Sequence, residues 1–110
     1  MRNRFKNLEI GAVFRLADEA SYLEGETTCR TLAANAGARL SILAIERGES
    51  LETDVVEADA LAVCLEGVGR ITVDGVEHKL EAGEALAIPA GTPRSIGARE
   101  RTKILLIDIF

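Results

Sequence analysis

The chain carries few side chains that could do chemistry: one histidine, His78, and two cysteines, Cys29 and Cys64, in 110 residues. No Ser-His-Asp or Cys-His arrangement can be assembled from these positions. Cys29, Cys64 and His78 supply the atoms for a Cys₂His zinc site, yet their separations match no zinc-ligand pattern. The two cysteines read instead as reduced thiols packed in strands, with a disulfide as the minority reading. Between Glu46 and Asp59 six acids (Glu46, Glu49, Glu52, Asp54, Glu57 and Asp59) face only Arg47. Such a run reads as a solvated loop. That leaves Arg94, in a stretch from Gly83 to Ile96 that holds both prolines of the molecule around Gly91. A guanidinium offers a rigid bidentate fork to a carboxylate, and it stays charged at any physiological pH.

What positions such a group must be a β fold. The length fits one domain, residues 1–110, with residues 1–12 as a lead-in. Apolar content is 47%, which indicates a packed core. Val13-Phe14-Arg15-Leu16 is expected to form a short strand and Ala17 to Ala20 one helical turn. Thr27 to Leu32 is rich in β-branched residues, Asn35-Ala36-Gly37 marks a turn, and Arg39 to Glu46 is an apolar run suited to a strand buried on both faces. Leu61 to Leu65, Leu86 to Ile88 and Thr102 to Phe110 complete the predicted strands. The clearest local signal is Asp74-Gly75 between Arg70–Val73 and Val76–Leu80, a two-residue type I′ hairpin. Its pairing puts Ile71, Val73, Val76, His78 and Leu80 on one face. His78 is then expected to be packed and hydrogen-bonded rather than catalytic. Strands every 8 to 12 residues with no long amphipathic helix predict an all-β barrel or sandwich.

The charge balance excludes other classes. A net charge of −5 argues against a nucleic-acid partner, because phosphate binding needs a basic face. The basic clusters Arg2 to Lys6 and Arg99 to Lys103 read as solvated ends. No apolar run reaches the ~18 residues of a membrane span, and Asn7 to Gly11 interrupts any signal core. A soluble, cytoplasmic protein is expected.

Leu65-Glu66-Gly67, Thr72-Val73-Asp74-Gly75, Leu80 to Glu84 and Ile88 to Pro93 together make the chain resemble the cupin superfamily over residues 42 to 108. The resemblance implies a cupin-type double-stranded β-helix, or jelly-roll barrel, of the RmlC-like kind. Cupins carry a glycine, five residues, proline, one residue, glycine, two residues and histidine. Here Gly83, Pro89 and Gly91 occupy these places, and Arg94 stands in the histidine slot. Counting back from Gly67, Ala60 stands in the slot of the first motif's glutamate, and Asp54 and Val56 in its two histidine slots. The Asp59-Ala60-Leu61 strand start is similar to that of small stand-alone bacterial cupins, many of them without assigned activity.

The resemblance therefore keeps the scaffold and replaces the ligands of the family's divalent ion, so no metal and no cofactor is expected. An oxygen-only magnesium or calcium site among Asp54, Glu57 and Asp59 is opposed by the nearby Arg94. The resemblance also sends Ala60, Ala62 and Cys64, which alternate onto one face of their strand, into the barrel. There they leave room for a ligand unless larger side chains opposite fill it. Arg94 and Asp54 are placed near the mouth. Two readings of that pair stand: a buried ion pair filling vacated space, or an anchor for a small polar or anionic molecule. A small-molecule enzyme of isomerase or oxygenase type, and a ligand-free structural dimer, are the alternatives. A homodimer is expected in each case, from the resemblance and from apolar edges on the early strands and Thr102 to Phe110.

Overall fold

Residues 4–53 and 55–110 are described in a computed structural model of the chain. They form nine strands: β1 (Thr27–Ala34), β2 (Ala38–Ile45), β3 (Ser50–Thr53), β4 (Asp59–Glu66), β5 (Val68–Val73), β6 (Val76–Glu81), β7 (Ala85–Ile88), β8 (Arg94–Ala98) and β9 (Thr102–Ile109). A five-stranded sheet in the order β1-β2-β9-β4-β7 faces a four-stranded sheet in the order β3-β8-β5-β6. Every pairing between these strands is antiparallel. This is an all-β barrel, as the strand spacing predicts, in the jelly-roll form that the family resemblance implies.

The hairpin forms as its residues dictate. Asp74 and Gly75 both have positive φ, 49° and 81°, the geometry of a type I′ turn. Ile71 pairs with His78 and Val73 with Val76. Ile71 and Leu80 are buried, whereas Val76, at the tip of the same face, is 58% exposed. The Asn35 turn is held by its own carboxamide, whose Oδ1 accepts from the N–H groups of Gly37 and Ala38.

Several elements differ from expectation. Val13 to Leu16 forms no strand. Val13 is fully exposed, and Leu16 begins a 3₁₀ turn, Leu16–Glu19. The acidic stretch hides β3, where Leu51 joins the core while Glu52 on the other face is exposed. β8 follows the prolines directly and contains Gly97, so it has little strand signature in composition. The Gly83–Ile96 stretch is pinned at three points. Gly83 N–H donates to Cys64 C=O, Ala90 N–H donates to Asp59 Oδ1, and Pro93 C=O accepts from Asp74 N–H.

Two apolar clusters result, one on each face of the five-stranded sheet. Inside the barrel, Leu43, Ile45, Ala60, Ala62, Cys64, Ile71, Leu80, Ile88, Ile96, Ala98, Ile104 and Leu106 pack together. Outside it, Leu32, Ile42 and Ala44 are covered by Leu8 from the lead-in and by Leu16, Ala20 and Tyr22 from the segment between it and β1. Both β2 and β9 therefore bury residues on both faces, as the apolar run in β2 predicts.

A polar clasp fixes this cover. Tyr22 Oη donates to Glu66 Oε2 at 2.7 Å. The Arg101 guanidinium and the Lys103 ammonium lie 5.2 Å and 5.0 Å from the Tyr22 ring centroid, within cation–π range. Lys103, 8% exposed, donates to Ala17 C=O at 2.6 Å. Arg101 pairs with Glu46 at 2.9 Å and 3.1 Å. The 99–103 and 46 positions, read from sequence as solvated, thus include a buried lysine and a buried glutamate. The hydrogen bond from Arg101 is the main reason the Glu46 carboxyl lies below the usual carboxylate range.

Burial first, then the hydrogen bond to Glu66, raises the Tyr22 phenol above its ordinary value of 10.0. A raised folded value means that this contribution to stability is fully present below the ordinary phenol range. It is lost as pH rises through the folded value. Tyr22 is the only tyrosine, and the chain has no tryptophan, so absorbance at 295 nm reports this group alone. The folded protein is expected to show no phenolate signal at about pH 10, where the denatured chain is half titrated. Coincident folded and denatured curves would show that the clasp is absent.

Candidate functional site

The site is built at the end of the barrel where β9 finishes and β8 begins. Along β9 the inward positions are Thr102, Ile104, Leu106 and Asp108, since alternate side chains share a face. Asp108 is 0% exposed. In register beside it stand Arg39 on β2 and Ala60 on β4. From the opposite sheet comes Arg94, the first residue of β8, paired in register with Val73 on β5 and only 6% exposed.

Among the described residues Arg94, Asp108 and Arg39 form a charge cluster. Arg94 Nη2 donates to Asp108 Oδ1 at 3.2 Å, and Arg39 Nη2 donates to Asp108 Oδ2 at 3.3 Å. The Arg94–Asp108 pair bridges the two sheets with side chains 3% and 0% exposed. The Arg39 side chain is 45% exposed, and its guanidinium carbon lies 5.9 Å from the Phe110 ring centroid. One carboxylate thus orients two guanidinium groups, one sealed inside and one at the surface.

The residues singled out from sequence are strung along the barrel. Ala60 lies at this end, beside Asp108. Ala62 lies beside Leu106 and Cys64 beside Ile104, so Cys64 is ~13 Å from Ala60 at the ~3.3 Å rise of a strand. All three face inward as expected, and larger side chains opposite fill the interior at their level. The Cys64 thiol is held at the far end by contacts to Glu66 C=O and Gly67 C=O. Burial is the first cause of its raised pKa, so it is a poor nucleophile. Asp54, the expected partner of Arg94, lies outside the described residues. Among the described residues Arg94 pairs with Asp108, fourteen residues downstream, which sequence reasoning missed together with Arg39. The available signal was an aspartate at an inward position of an otherwise apolar strand, because a buried charge needs a partner.

His78 lies on the inward face of β6 opposite Ile71 and is half-buried. Contrary to expectation, its ring makes no hydrogen bond among the described residues. A cleft of about 250 Å³ also touches Arg94. Its other walls, Glu52, Thr72, Gly75, Pro93 and Ser95, place it on the outward side of the four-stranded sheet, away from Asp108.

The fold family's metal is tested against the donors present. Among the described residues no three His, Cys, Asp or Glu side chains gather as metal ligands. Ala60 and Arg94 bring a methyl group and a cation to two of the ligand slots, so this donor set does not fit a divalent ion.

Comparison with known proteins agrees with the geometry of the barrel. The family model described as "Cupin domain" matches residues 41–110. The chain belongs to the cupin family. A conserved protein of unknown function from Streptococcus pyogenes has a similar structure, with TM-score 0.93, 23% identity, and coverage of 98% of this chain and 95% of that one. A cupin superfamily protein from Desulfitobacterium hafniense gives TM-score 0.91 and 27% identity over 98% of this cupin and 99% of that chain. A cupin 2 conserved barrel domain protein from Leptotrichia buccalis is 33% identical with TM-score 0.85, covering 88% of this cupin and 47% of that chain. No curated protein matches the sequence. No helix among the described residues is long and apolar enough to cross a membrane.

The charge cluster makes a stability prediction. A buried ion pair adds little net stability, but removing one partner leaves an uncompensated charge and costs about 3–5 kcal/mol. Asp108→Ala should lower the unfolding free energy by that amount in urea titrations. The double variant Arg94→Met/Asp108→Leu should cost less than Asp108→Ala alone. A single variant as stable as the parent would show that the charges are not buried against each other.

Proposed function

We propose that this cupin is a metal-free binder of a small carboxylate or similar anion, held at the Arg39–Asp108–Arg94 end of the barrel. The observation that carries this reading is the half-exposed Arg39 guanidinium, oriented by a fully buried carboxylate. A guanidinium has five N–H donors in a fixed fork. Asp108 accepts from one Arg39 donor in the structure and restrains the side chain, which lowers the entropy lost when an anion docks. The filled interior confines the ligand to this end, so Cys64 and Ala62 act as packing beneath the site rather than as contacts.

The same filled interior favours a second reading, a scaffold that binds no small molecule. An enzyme reading is weaker. The one imidazole, His78, is in register with Ile71 rather than with the Val73–Arg94 rung, and no second histidine exists to share proton transfer.

Thermal unfolding against a panel of mono- and dicarboxylates separates these readings. A ligand at 100 times its Kd adds about 2.7 kcal/mol, which for a domain near this size raises Tm by roughly 10 °C or more. The expected result is such a rise in the parent protein and its loss in Arg39→Gln, whose own Tm changes little because the side chain is surface-exposed. Absence of any shift across the panel would favour the scaffold. Stoichiometric zinc, iron, nickel or manganese in the purified protein would overturn the metal-free assignment.

A further inference from the structure

The basic stretch Arg99 to Lys103 divides between two faces of the barrel. Arg101 and Lys103 belong to the Tyr22 clasp, whereas Arg99 is exposed on the outward side of the four-stranded sheet. There it meets two further cations. Ile71 faces inward, so Val68 and Arg70 face outward on β5, and Arg70 stands directly opposite Lys79 of β6. On its other side Arg70 is in register with Gly97 of β8, which places no side chain beside it. A cleft of about 210 Å³ opens among Val68, Arg70, Lys79, Arg99 and Glu100. It lies at the end of β5 away from the Val73–Arg94 rung.

We infer that this cleft binds the phosphoryl group of a small phosphomonoester. Three observations point to such a ligand. First, Arg70 and Lys79 are like charges placed directly opposite each other, an arrangement that destabilises a strand pair. An anion between them turns that repulsion into attraction. Second, the fold itself holds the cations from three elements. Thr102, 0% exposed, accepts from Val68 N–H at 3.2 Å, and its hydroxyl lies 3.1 Å and 3.0 Å from the carbonyls of Val68 and Glu100. This side chain ties the bend that carries Arg99 to the start of β5. Third, donors remain available. Glu77 engages Nη1 of Arg70, and Lys79 faces Glu81 at 3.5 Å with both side chains more than half exposed. Arg99 has no ion pair among the described residues. Exposed pairs of this kind are weak and yield to a stronger anion.

The lining also selects the class of anion. A phosphomonoester brings close to two negative charges and three acceptor oxygens, one for each cation. A carboxylate is already satisfied by a single guanidinium. The volume is below the roughly 300–1,000 Å³ that encloses a drug-sized ligand, so the cleft takes a phosphoryl head and leaves the rest of the molecule outside. Glu77, Glu81 and Glu100 border the cations and limit the positive surface to this cleft, which disfavours a nucleic-acid backbone.

Amide chemical-shift titration with inorganic phosphate tests the inference, with sodium chloride at matched ionic strength as the control. Saturable shifts are expected at Val68, Arg70, Lys79, Arg99 and Glu100, with a Kd on the order of 1 mM. Arg70→Gln and Arg99→Gln should each raise Kd roughly tenfold, the loss of one hydrogen bond to a charged group. Both side chains point outward, so the variants' spectra should match the parent away from the cleft. Glu100→Gln removes the carboxylate of the lining and should lower Kd roughly threefold. Methyl phosphate should bind like inorganic phosphate, and dimethyl phosphate, with a single charge, more weakly. No saturable response, or an equal one to chloride, overturns the inference. So do shifts centred on Arg39 and Phe110, a Kd indifferent to both arginine substitutions, or equal binding of dimethyl phosphate. Arg39→Gln should leave phosphate binding here unchanged, so failure of this site leaves the carboxylate proposal standing.

Discussion

The contact on which one end of the barrel depends is the ion pair between Arg94 and Asp108. It joins β8 of one sheet to β9 of the other at the rim, where the apolar cluster ends and hydrocarbon contact alone no longer fixes the spacing of the sheets. Such a pair is weak as a source of stability, because the desolvation of both charges nearly offsets their attraction. Its value is geometric. An aspartate at this depth has few acceptable neighbours, so it specifies which arginine crosses the barrel and sets the orientation of Arg39 on the adjoining strand.

The same constraint explains how a metal-site scaffold can persist after its ligands are replaced. The turns that pin the Gly83–Ile96 stretch use backbone groups and Asp59, none of which is a metal-ligand position in the family pattern. Arg94 inherits the ligand slot's inward direction, and Asp108 compensates the charge it brings. Deeper in, isoleucines and leucines from the facing strands fill the space next to Ala60, Ala62 and Cys64. The buried charges of this barrel end thereby stand at its rim, with hydrocarbon at its centre.

How much of this is legible in the sequence follows from how local each signal is. The Asp74-Gly75 turn needs only two residues with positive φ, and it reads directly. The turn spacing of Gly83, Pro89 and Gly91 likewise reads directly, and with it the family and the inward placement of Arg94. Asp108 does not, because its partners are 14 and 69 residues away and only the sheet order brings them together. β3 is masked because its outward residues share the acidity of the loop around it. The burial of Lys103 depends on Tyr22 and Ala17 folding back over the sheet, a contact no local pattern announces.

The central claim is that the functional end of the barrel is the Arg39–Asp108–Arg94 rim and not the interior lined by Cys64. Amide chemical-shift mapping during titration with a small dicarboxylate tests it most directly. The account predicts perturbations concentrated at Arg39, Arg94, Asp108 and Phe110, fading along β4 before Cys64. Perturbations centred on Cys64 and Ile104, with the rim unchanged, would contradict it.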